Sequence, residues 1–174
     1  TGHPTQARNL LEQINETAIA RREAKEPFQP AELIALGEIA AEARTDPFRI
    51  FEQFYKPALK SNPKLLRGYL AASDLAVRTH DYEYAAEFAR NGLKKFGTHP
   101  DLHIRLAAAF AHSNARKRAM VEVANALKIN PNHIPSLLAG AAFSTYTENF
   151  AQTEGPFAAI FAIDPNHPEA RSLE

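Results

Sequence analysis

His99 and His103 stand four residues apart with Asp101 between them, a spacing that can set two imidazoles toward one metal ion on a helix. Pro100 intervenes, and proline belongs in the first turn of a helix, so His99 falls in the preceding turn and His103 reads as a groove or packing histidine. Glu38, Glu42 and Asp46 are also spaced by four. Paired carboxylates do acid–base work only where their surroundings drive their pKa values apart, and nothing near these three does so. They read as a solvated or groove-lining stripe. Ser113 follows His112, and Ser73 and Ser144 recur near helix ends, but no glycine-flanked serine sits on a strand-to-helix elbow. Arg116-Lys117-Arg118 lacks interleaved aromatics and reads as a solvated helix start rather than a nucleic-acid patch. Seven scattered glycines build no phosphate loop, and the absence of cysteine removes thiolate zinc sites, cysteine nucleophiles and disulfides. The expectation is a chain that is not an enzyme, with no catalytic residues, no metal and no cofactor.

The elements that would carry these residues follow from composition and period. The 174 residues and 19.2 kDa suit one ordinary domain or one run of small repeats. A 45% apolar and 23% charged balance belongs to a folded chain, and a formal charge of zero argues against a wholly basic nucleic-acid-binding surface. No apolar run reaches the roughly 18 residues of a membrane-inserted helix. Alanine fills 32 of 174 positions, alternating β-branched runs are missing, and the chain reads as all helix with short turns.

A period of 34 residues organises those helices. It carries Gly92-Leu93 to Ala126-Leu127 and Ile160-Phe161, Ala85 to Ala119 and Thr153, and Tyr69 to His103 and Leu137. Each period reads as two helices. In the clearest, Leu66, Tyr69, Leu70, Ser73 and Ala76 share one face. After a His80-Asp81 turn, Tyr82, Ala85, Ala86, Ala89, Leu93 and Phe96 share a second. Gly97 ends that helix, and Asn-Pro or Asp-Pro at Pro63, Pro131 and Pro165 closes successive periods. Proline at 57 and 156 is expected to kink the second helix of the first period mildly and to break or restart that of the last.

A helix–turn–helix of this length, with small residues at its crossings and a closing Asx-Pro, resembles the tetratricopeptide repeat. The likeness covers residues 31 to 165 as about four units, approximately 31–63, 66–96, 100–131 and 134–165. Within the region 28–165 it is strongest over 66–96. It weakens where Leu106-Ala107 and Gly140-Ala141 replace Leu-Gly, and where Thr153 replaces a small residue. Residues 1–27 read as an N-terminal helix, a partial repeat or cap, and 166–174 as the start of a truncated further repeat. With Thr1 in place of methionine, they suggest a segment of a larger protein. The resemblance implies an all-α helical-repeat solenoid: antiparallel helix pairs wound into a right-handed superhelix.

It also implies a protein–protein interaction scaffold whose first helices line a concave groove that receives an extended peptide or partner protein. The groove candidates are Arg67, Leu70, Asp74 and Arg78, then Arg105 and His112, then Leu138 and Tyr146. Ala71 and Asp74 stand where carboxylate-clamping members of the family place asparagines, so a chaperone tail is not the expected ligand. Residues 61–130 hold 11 basic and 6 acidic residues while 131–174 hold 1 and 5, a distribution that favours an acidic peptide in the middle of the chain. The alternative is a docking or regulatory arm of an enzyme whose catalytic domain lies outside this sequence. Neither reading specifies a cellular location.

Overall fold

The computed structural model describes residues 9, 12–13, 16, 21, 26–146 and 154–173. Described positions 9, 12, 13, 16 and 21 are helical, while most of the N-terminal helix expected within 1–27 lies outside the described residues. Among the described residues there is no strand. The chain divides into two compact units, Thr1–Phe88 and Ala89–Glu174.

In the first unit, α1 spans Pro30–Glu42, α2 Pro47–Ile50, a π-helical segment Phe51–Tyr55, α3 Lys56–Ser61 and α4 Leu66–Arg78. Helix α5, Tyr82–Phe96, runs through the boundary between the units. The second unit continues with α6 Pro100–His112, α7 Arg116–Ile129, α8 Ile134–Tyr146, α9 Glu154–Ile163 and α10 Pro168–Leu173.

Turn chemistry sets these boundaries. Pro30 opens α1, and the Gln29 backbone N–H donates to the Glu32 carboxylate at 2.7 Å. Asp46 caps α2 by accepting from Phe48 N–H at 3.1 Å, and Asp81 caps α5 by accepting from Tyr84 N–H at 3.1 Å. The closing turns share one device: Asn62, Asn130 and Asp164 each accept, through the side-chain oxygen, the N–H two residues on at 3.0 Å. Phe96 occupies the equivalent place at the end of α5 and cannot do this, so Gly97 takes over in the left-handed region at φ 62°. Arg44, His80 and Asn114 adopt the same region at φ 57°, 65° and 59° in turns that follow α1, α4 and α6.

At Pro57, where a mild kink is expected, a π-helical turn stands immediately before the proline. A proline here removes a donor and sets its ring against the carbonyl four residues back. The chain answers with the π-helical turn just before it, in which Lys56 N–H bonds Phe51 carbonyl five residues back. At the other proline, Pro156 lies in the first turn of α9, and the segment 147–153 in which the expected break would fall lies outside the described residues. Beyond it Phe157 and Ile160 are buried and Phe161 half-buried.

Small residues let the helices approach. Ala58, Ala72, Ala76 and Ala85 in the first unit, and Ala109, Ala119, Ala126, Ala141 and Ala170 in the second, have no exposed surface. Larger side chains fill what remains: Ile34, Ile50, Phe51, Tyr55 and Leu75 in the first, Leu102, Leu106, Val123 and Ile160 in the second. Phe51 meets Tyr84 edge-on at 4.9 Å and stacks on Phe88 at 5.6 Å, tying the π-helical turn to the first half of α5. In the second unit α6 packs on α7, α7 on α8, and α8 on α9, with α10 against α8 and α9.

Gly37 and Gly140 occupy comparable first helices yet differ in what surrounds them. A Cβ on Gly37 would lie 2.3 Å from the ring of buried Tyr55, whereas at Gly140 the nearest atom, a Val123 methyl, is 3.9 Å away. Gly37→Ala is therefore expected to destabilise by about 1–3 kcal/mol through overpacking. Gly140→Ala is expected to stabilise by up to about 1 kcal/mol through helix propensity. Urea unfolding midpoints of the two variants check both signs.

Candidate interaction faces of the first helices

Helix α4 has two contrasting sides. Gly68, Tyr69, Ala72, Ser73, Leu75 and Ala76 are buried, while Arg67 and Arg78 are exposed and Leu70, Ala71 and Asp74 half-buried between them. The second set is the one that the sequence nominates for binding, and the spacing 67, 70, 71, 74, 78 keeps it on one stripe.

Charge on that stripe is not a bare basic strip. Helix α1 packs beside α4 and supplies Glu38 and Glu42. Arg67 Nε donates to Glu38 Oε1 at 2.9 Å while its terminal nitrogen reaches the other carboxylate oxygen, a two-point grip. Arg78 Nη1 donates to Glu42 Oε1 at 3.3 Å. The acidic stripe that the sequence shows thus meets the basic one turn for turn, and Asp46, third in that stripe, is spent on capping α2. Arg67 and Arg78 thus pair with glutamates 29 and 36 residues away in the sequence.

Tyr55 lies beneath this cluster. Burial pushes its phenol well above the ordinary value, and the Glu38 carboxylate adds to the effect, so the group stays a neutral hydroxyl. The Glu38 bond likewise raises the Arg67 pKa, so the guanidinium stays charged.

In the second unit the nominated residues are dispersed. Arg105 is half-buried on α6 and His112 is exposed at its end. Leu138 on α8 is half-buried and packs against the cluster of Leu137, Ala141, Phe157 and Ile160, so part of its surface belongs to the core. Tyr146 ends α8, and its side chain lies outside the described residues.

A constellation that the sequence reading passes over joins α6 and α8. His133 Nδ1 lies 2.7 Å from Ser136 Oγ, and its Nε2 lies 3.2 Å from Asp101 Oδ1. These are the residue types of a hydrolase triad, but the ring is reversed relative to that arrangement, with Nδ1 rather than Nε2 toward the serine. Ser136 has no exposed surface, so no substrate reaches it. The group works as a tie between helix starts. A 34-residue step relates His99, His133 and His167, which could have flagged the position: each stands at the start of a first helix, and His167 Nδ1 accepts from Ala170 N–H at 3.4 Å. His99 stands in the turn before α6, and His103 Nδ1 lies 2.7 Å from Glu122 on α7. Among the described residues no three metal-ligating side chains converge.

No known family profile matches the sequence, and no curated protein matches it. Solved structures do match in fold. One is YrrB, described as a tetratricopeptide protein with an unusual peptide-binding site: 20% identical, covering 90% of this chain and 78% of its own, with a TM-score of 0.63. Another is MamA, 11% identical over 90% of this chain and 85% of its own, at 0.67. A fragment of MamA from Desulfovibrio magneticus RS-1, from residue 41 to its end, is 13% identical over 97% of this chain and 98% of its own, at 0.66. The chain has the all-α, tetratricopeptide-like helical-repeat fold.

If the His133 group is structural, His133→Ala strands a buried Ser136 hydroxyl and should cost about 1–3 kcal/mol in urea unfolding. A serine-directed organophosphate should leave Ser136 unlabelled by mass spectrometry. Labelling would make it a nucleophile.

Proposed function

We propose that this chain is a non-catalytic protein-interaction scaffold that holds an extended peptide on the uncovered faces of its first helices. The observation that carries the reading is α4: one side is buried and the other presents exposed Arg67 and Arg78 with half-buried Leu70 and Asp74 between them, a stripe of charge, hydrogen-bonding groups and an apolar contact. Within the second unit, Arg105, His112, Leu138 and Tyr146 are the candidates on α6 and α8. The fold shared with a peptide-binding tetratricopeptide protein supports a peptide as the ligand class.

The ion pairs refine how an acidic peptide would be received. Its carboxylates would displace Glu38 from an Arg67 guanidinium already oriented for two-point binding, and Glu42 from Arg78, so little side-chain order is lost on capture. The displaced glutamates turn outward and are free to meet cationic residues of the same peptide. A mixed-charge ligand with net acidity suits this face better than a uniformly acidic one.

Arg67→Glu combined with Arg78→Glu is expected to abolish capture of the partner and to move the melting temperature little, both side chains being exposed. Raising ionic strength should weaken capture, because exposed charges are screened over about 8–10 Å. A photo-crosslinking residue at position 70 reads both out directly. Retention of the crosslinked partner by the double variant would place the site elsewhere.

A further inference from the structure

The basic triplet Arg116-Lys117-Arg118 stands beside an aromatic ring after all, one contributed by the preceding helix. Phe110, on α6, packs its inner side against the Ile104, Ala107 and Val123 cluster, while Phe110, Lys117, Arg118, Val121 and Glu122 line an open concavity of about 330 Å³. The Arg118 guanidinium lies 5.8 Å from the Phe110 ring centre, and Arg90 of α5 brings a second to 5.4 Å. Val121, 57% exposed, forms the apolar wall, and exposed Met120 extends apolar surface beside it. The carboxylate in the lining, Glu122, is turned to His103 at 2.7 Å. Two cations therefore line an apolar floor whose own acid is engaged, and a third, Arg90, stands over its aromatic ring.

We infer that this concavity is a second binding site, distinct from the first-helix stripe, for an acidic protein segment that carries one bulky apolar side chain. The apolar side chain would rest on the Phe110 edge and Val121 and shed water there, while carboxylates on either side meet Lys117, Arg118 and Arg90. Charge complementarity selects the occupant. Single-stranded nucleic acid fits less well: sequence-tolerant binding needs a ring face for bases to stack on, and two guanidiniums already lie over this ring. A pocket with room for one side chain fits a peptide anchor rather than a run of bases.

The probe is a synthetic peptide of alternating glutamate and aspartate with one central phenylalanine, titrated calorimetrically into the whole chain. Its serine-for-phenylalanine counterpart and a DNA oligonucleotide of equal charge are titrated alongside. The phenylalanine peptide should bind, the serine peptide about tenfold more weakly, and the oligonucleotide more weakly than either. Lys117→Glu with Arg118→Glu, or Val121→Asp alone, should each weaken phenylalanine-peptide binding about tenfold or more, with far-ultraviolet circular dichroism unchanged. Arg78→Glu, on the other stripe, should leave it intact, so failure here and failure of the first-helix reading are separable. The inference is overturned if the phenylalanine peptide does not bind, if its affinity is indifferent to the triplet and Val121, if loss tracks Arg78 instead, or if DNA binds as tightly.

Discussion

Close approach of helices at small residues is the constraint on which the structure depends. A helix pair crosses tightly only where neither side presents a bulky group, and alanines without exposed surface recur at such points in both compact units. At Gly37 the requirement reaches its limit, since even a methyl would enter the Tyr55 ring. Tight crossing buries one side of α4 and leaves Arg67 and Arg78 exposed on the other. On α4 that produces the stripe of Arg67, Leu70, Asp74 and Arg78. The packing and the candidate binding face are thus two sides of one helix.

Much of this was legible because the signals were local or periodic. The Asx-Pro closings announced turns, and Asn62, Asn130 and Asp164 close them through the same side-chain bond. Gly97 stood where the series lacked an Asx residue, and the left-handed turn it takes is the one that glycine favours. Ala85 and Ala119, singled out by the 34-residue step, are fully buried. The π-helical turn before Pro57 was not legible, because the sequence shows that the proline must be accommodated but not which of several backbone solutions the Phe51, Tyr84 and Phe88 packing selects.

The candidate site was legible only in outline. Helical spacing shows that Glu38 and Glu42 share a face and that Arg67 and Arg78 do too. It does not show that packing of α1 on α4 sets one face against the other. Such pairing depends on the rotation of each helix about its axis, which the buried side fixes. The exposed pairs contribute little stability in water, and their consequence is orientation: guanidiniums held in place by carboxylates that a ligand can replace. Phe110 was missed as a binding element for a related reason, since its value comes from guanidiniums on two other helices.

The account rests most heavily on small residues at the crossings, and one comparison tests it directly. Ala119→Leu and Ala126→Leu each place a branched side chain at a fully buried position of α7. Equilibrium urea unfolding should show each losing about 1–3 kcal/mol, because the surrounding helices must part to admit the added volume. Unchanged midpoints in both variants would show that the crossings have room to spare, and that tight packing does not set the faces of these helices.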